Sequence, residues 1–177
     1  MLFDDSDMKI AGSKVNNGDA DTDSDLLPTE TVENAKELGR RLCKEFFKAV
    51  NTSFPGEEND DPIMLVQRQI LLAFTVSAAL DEYCKSDTVS GIAEKSFLDE
   101  IRKTSVDIYN NCSDTGAFSF YYLAYRRKTE IERRMGQTFA MLCSHDGDSI
   151  YQELGEALYC WFMSVVRKQV QSFGFNK

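Results

Sequence analysis

PIMLVQRQILLAFTVSAALDEYC, residues 62–84, decides the fold. Its apolar positions, Ile63, Leu65, Val66, Ile70, Leu71, Leu72, Phe74, Val76, Leu80 and Tyr83, lie nearly all round a helix of 3.6-residue period. A helix apolar on every side must be enclosed by others, so this segment is expected at the centre of a helical bundle. Asp61-Pro62 starts it well: the Asp carboxylate can cap free amides, and Pro at the first helical position loses no available bond. Ala73, Ser77, Ala78 and Ala79 are small enough to let neighbouring backbones come close. The longest apolar run, Ile70 to Leu80, contains Thr75 and Ser77 and follows Gln67, Arg68 and Gln69. That is shorter than the ~20 residues a membrane span needs, so no transmembrane segment is expected.

Outward from this helix the chain reads as further helices. Towards the N-terminus, residues 28–51 place Val32, Ala35, Leu38, Leu42, Phe46, Ala49 and Val50 at steps of three and four, with Glu33, Lys36, Arg40, Lys44 and Lys48 opposite. Pro55-Gly56 and the acids around it mark residues 53–61 as a loop. Towards the C-terminus, a narrower stripe of Phe97, Ile101, Ile108 and Cys112 predicts an outer helix over 90–111. Residues 117–125, with Phe118, Phe120, Tyr121, Tyr122 and Tyr125, are read as helix because no second segment offers a strand partner. Thr129 with Glu132 and Ser149 with Gln152 have capping-box spacing, predicting helices over about 129–144 and about 149–173, the last stopped by Gly174. Whether the helix is continuous through 126–130 stays open at this point. The expectation is an all-α, single-domain bundle of five or six helices over 28–177, preceded by a mobile acidic tail over 1–27.

Composition agrees with that class. The chain has 177 residues, 42% hydrophobic and 28% charged, with 3 prolines and 10 glycines, which disfavours turn-dense sandwiches and collagen-like arrays. The formal charge is −9, but it is unevenly placed. Residues 1–28 hold seven aspartates against Lys9 and Lys14, a balance of −5, and Glu57, Glu58, Asp60 and Asp61 hold −4, leaving a neutral remainder. An acidic total argues against nucleic acid as the main partner. The five cysteines, Cys43, Cys84, Cys112, Cys143 and Cys160, are odd in number and widely spaced. They are read as reduced buried thiols of a cytoplasmic protein. The Met1-Leu2-Phe3-Asp4-Asp5 start has no basic region leading into an apolar run, so no secretory signal is expected.

The sharpest local pattern is DADTDSDLLPTE, residues 19–30. Oxygen ligands at its first, third, fifth and seventh places and a Glu at the twelfth are what a loop needs to wrap a calcium ion. These twelve residues resemble an EF-hand calcium loop, with Ser24 where that family has Gly and Pro28 inside the loop. The resemblance implies Asp19, Asp21, Asp23 and Glu30 as side-chain ligands, and Asp25 as a carbonyl ligand. An Asp-rich solvated tail gives the same alternation and is the preferred reading. No cofactor is expected, with calcium as the alternative.

A basic cluster, Arg126, Arg127, Lys128, Arg133 and Arg134, follows the tyrosines and is balanced only by Glu130 and Glu132. Arginine beside aromatics can hold an anion or an acidic partner segment. Helical spacing to the two glutamates favours an ion-paired, solvated face, and the tyrosines fit a core stripe. Signs of catalysis are sparse. His145 is the only histidine, too few for the paired Glu-x-x-His motifs of di-metal bundles, and no phosphate-binding glycine loop is present. The aromatic content permits an apolar ligand pocket, but a close-packed core is the preferred account. The functional expectation is therefore a non-catalytic helical interaction or regulatory module engaging a protein partner or itself; the alternative is a small-molecule or calcium-binding bundle.

Overall fold

The computed structural model describes residues 27–52 and 61–177. The fold is all-α, with seven helices among the described residues: α1 (Thr29–Val50), α2 (Pro62–Tyr83), α3 (Asp87–Thr104), α4 (Val106–Cys112), α5 (Thr115–Arg126), α6 (Ile131–Leu142) and α7 (Ser149–Ser172). The stretch 62–84 takes the central place its all-round apolarity demands. α2 packs against all six other helices, and from Ile70 to Leu80 every residue except Ser77 is buried. By length and composition α2 alone among the described residues is apolar enough to cross a membrane, a test that the Ile70–Leu80 run did not meet by itself. Of its most apolar window, 67% is buried inside the bundle, as in a core helix.

Two tightly packed helix pairs flank α2. α1 packs most extensively on α3, and α6 on α7. Glycines permit both approaches. A Cβ on Gly39 of α1 would lie 2.7 Å from the Ser96 Cβ and 2.8 Å from the Phe97 amide of α3. Ser96 seals this crossing by donating its hydroxyl to the Lys36 carbonyl at 2.8 Å. Gly136 of α6 meets the Gln152 carbonyl of α7, and Gly155 of α7 meets the Phe139 side chain of α6. Close backbone approach of this kind brings more side-chain atoms into dispersion contact, each worth only about 0.1–0.2 kcal/mol but many in number.

The helix count exceeds six because residues 90–111 are divided. Ser105 is extended (φ −154°); its amide donates to the Ile101 carbonyl, ending α3, and its hydroxyl accepts from the Ile108 amide, starting α4. α5 and α6 are separate helices. Lys128 and Glu130 adopt left-handed backbone (φ 55° and 48°), which no continuous helix accommodates. Glu130, not Thr129, stands at the N-cap of α6 and makes no side-chain cap bond. Asp148, one residue before Ser149, caps α7 by accepting from the Ile150 amide. Asp61 caps α2 from the same relative position, accepting from the Ile63 amide at 2.9 Å.

The C-terminal segment closes the bundle. Gly174 (φ 70°) turns the chain after α7, so that the Lys85 amide donates to the Phe175 carbonyl and the Lys177 amide to the Tyr83 carbonyl. This ties the end of α7 to the end of α2. At the opposite end of α2, the side chain of Arg68, 2% exposed, donates to the Ala49 and Thr52 carbonyls at 2.5 and 2.6 Å. A guanidinium there neutralises the partial negative charge at the C-terminus of α1 and satisfies its terminal carbonyls.

Candidate functional site

An open groove of about 770 Å³ is lined by α2 and α5, with one residue from α3. One face of α2 supplies Phe74, Ser77, Ala78 and Asp81, at positions i, i+3, i+4 and i+7. One face of α5 supplies Thr115, Phe118, Ser119, Tyr122 and Leu123 at the equivalent steps, and α3 adds Glu94. Each wall is therefore a helical stripe, spanning about 10–12 Å at 1.5 Å per residue. The floor is aromatic: the Phe74 ring meets Phe118 edge-on at 5.3 Å between centroids and Tyr125 at 6.2 Å. Tyr122 and Leu123 remain 55% and 57% exposed, and Phe120 beside them is exposed too.

The charge in this groove has one sign. Asp81 and Glu94 line it, and no Lys or Arg does. The Ser77 hydroxyl donates to the Glu94 carboxylate, holding it against α2. Among the described residues neither carboxylate has an ion-pair partner; the Lys177 ammonium nearest the end of α2 bonds the Asp81 backbone carbonyl. Comparison with protein-family models, with curated proteins and with solved structures finds no match. The lining of the groove is made of aromatic, small apolar, hydroxyl and carboxylate side chains.

The basic cluster is placed beside this groove but is not one surface. Arg126 continues the α5 stripe one turn beyond Tyr122 and Leu123, exposed and without an ion-pair partner among the described residues, as is Arg127. The Lys128 ammonium lies 3.8 Å from the Tyr125 ring centroid. Arg133 and Arg134 both meet Glu130, at 3.4 and 3.9 Å, and Arg134 also donates to the Thr129 carbonyl at 2.9 Å. The left-handed turn at Lys128 and Glu130 thus collects the second pair of arginines around one carboxylate and leaves the first pair pointing outward.

Of the calcium-loop candidates, Asp19, Asp21, Asp23 and Asp25 lie outside the described residues, as do Glu57, Glu58 and Asp60 of the acidic run. Glu30 is exposed in the first turn of α1, which Pro28 precedes. Among the described residues no three His, Cys, Asp or Glu side chains gather closely enough to hold a metal ion. His145 stacks its ring on Tyr151 at 3.8 Å between centroids.

Four thiols are buried and one is not. Burial pushes Cys43 and Cys84 up to about 11, and Cys112 and Cys143 up to about 12. Cys160 is exposed on α7, and its thiol is also raised, chiefly by desolvation and then by Glu132 and Glu156. The buried four are protonated and unreactive at neutral pH.

The aromatic run departs from a uniform core stripe. Tyr121 and Tyr125 are buried, whereas Phe120 and Tyr122 face outward. On α7, Ile150 and Trp161 likewise leave the core, 73% and 46% exposed. The sequence places Phe74, Ser77 and Ala78 on the central helix but does not single out Asp81 or Glu94 as site residues. Ser77 and Asp81, four apart on an otherwise apolar helix, were the available signal.

Proposed function

We propose that this chain is a non-catalytic interaction module and that the α2–α3–α5 groove is its binding face for a segment of a protein partner. The supporting observation is the exposed Tyr122–Leu123 wall continuous with an aromatic floor. Large apolar side chains at the rim of a concave apolar surface are typical of interaction sites, whereas exposed apolar residues scattered singly are not. The groove's size lies within the range of sites that bury ligand surface, and its open shape suits a partner segment better than an enclosed small molecule.

The test is selection of displayed random peptides on the full chain, followed by a comparison of the selected peptides on Leu123→Asp. Leu123 is mostly exposed, so the variant folds and the loss is local. Binding abolished by Leu123→Asp and retained by Ile150→Asp, a change on the exposed side of α7, supports the reading. Failure to select any peptide that distinguishes the two variants overturns it.

A further inference from the structure

Resting on the reading of the groove as a binding face, the geometry points to one class of occupant, which we propose is an amphipathic α-helix of a partner that carries Lys or Arg beside its apolar anchors. Both long walls of the groove are helices, whose backbone groups are already paired within themselves. They offer side chains only. An extended segment docking here would leave its own amides and carbonyls without protein partners, since no sheet edge is available to take them. A helix satisfies its own backbone and presents side chains at i, i+3, i+4 and i+7, the spacing that both walls use. Walls of about 10–12 Å accept about two turns, and hence about three apolar anchors.

The charge of the occupant follows from the same lining. Two carboxylates, Asp81 and Glu94, stand among Phe74, Phe118, Tyr122 and Tyr125 with no basic residue in the groove. A helix covering them with apolar or acidic residues would desolvate or repel two anions. A Lys or Arg at that point gains an ion pair and ring faces together.

The experiment is the display selection with a library of peptides about 15 residues long, roughly four helical turns. The selected sequences are compared on the full-length wild type, on Asp81→Asn with Glu94→Gln, and on a control pair outside the groove, Asp99→Asn with Glu153→Gln. The expected result is enrichment of apolar residues at i, i+3 or i+4 and i+7 with interspersed Lys or Arg. Binding should fall about tenfold on the groove pair, less than about twofold on the control pair, and fall further as salt rises from about 0.05 to 0.5 M. Circular dichroism of the selected peptides should show helix induced on binding. Selected peptides that are acidic, proline-rich or neutral, or that bind the groove pair as they bind wild type, overturn this inference; if those same peptides are lost on Leu123→Asp, the binding-face reading survives. Peptides that bind through charge alone, equally weakened by both acid-removing pairs, overturn it as well.

Discussion

Gly155 of α7 sits directly against Phe139 of α6: a Cβ on Gly155 would lie 2.5 Å from the Phe139 Cβ and 2.8 Å from its Cγ. Both phenylalanine atoms are close to their own backbone, so the ring cannot swing clear, and the helices themselves would have to part. Gly155→Ala is therefore expected to destabilise by about 1–3 kcal/mol, against the usual helix-interior gain for this change. Gly91 of α3 is the matched control, since a Cβ there meets nothing within 4 Å. Gly91→Ala should stabilise by about 0.5–1 kcal/mol. Urea unfolding of the two variants checks the opposite signs; a stable Gly155→Ala protein would show that the α6–α7 crossing is looser than described.

Tyr121 is wholly buried, and its hydroxyl has no hydrogen-bond partner among the described residues. Desolvation holds its ionisation well above the ordinary tyrosine range. Leaving such a group unmade costs about 1–3 kcal/mol, whereas a phenyl ring in its place has nothing to satisfy. Tyr121→Phe is expected to raise the melting temperature or leave it unchanged. A loss of more than about 1 kcal/mol would mean that the hydroxyl is bonded in solution.

Arg68 links the start of α2 to the end of α1 through two carbonyls. Arg68→Met keeps the apolar stem and removes both charge-assisted bonds, and should cost about 1.5–3 kcal/mol in chemical denaturation. Arg68→Lys should recover only part, because an ammonium does not reproduce the planar fork. Full recovery by lysine would reduce the role of this residue to charge alone.

The buried thiols predict both reactivity and alkaline behaviour. At neutral pH an alkylating reagent should modify only Cys160 in the folded protein, leaving four thiols that react on unfolding; Cys160→Ser should abolish the native reaction. Folded-state thiol values of about 11 to about 12, above the 9.0 of an unperturbed thiol, mean that the unfolded chain releases protons first as pH rises. Their contribution to stability is complete below about pH 9 and is lost progressively as pH climbs through the folded values. Denaturation midpoints measured from pH 8 to about 11 should fall, and Cys112→Ala should make that fall shallower. A midpoint insensitive to pH above 9 would contradict the burial of these groups.

Much of the architecture was legible residue by residue. The α2 stretch placed itself at the centre, and the Asp61-Pro62 start is where the helix begins. The division at Ser105 was not legible, because no Gly or Pro marks it and the serine breaks the helix only by capping the next one. The break between α5 and α6 was half legible: the Thr129–Glu132 spacing offered a new start near 129, while the left-handed backbone at Lys128 and Glu130, two ordinary helix formers, is what makes the helices separate. Gly39, Gly136 and Gly155 carry no sequence signal of their own and are the contact points of two helix pairs.

By itself the sequence determined the helical class, the central helix and most of the helix ends, because apolar period and end-capping are local properties of neighbouring residues. The tertiary structure alone decided which aromatics of α5 are core and which are surface. It also decided that Phe74, Ser77 and Asp81 face Glu94, Phe118 and Tyr122 across one groove. Those residues come from three helices, and contacts between residues far apart in the chain, which no local pattern of apolarity encodes, bring them together.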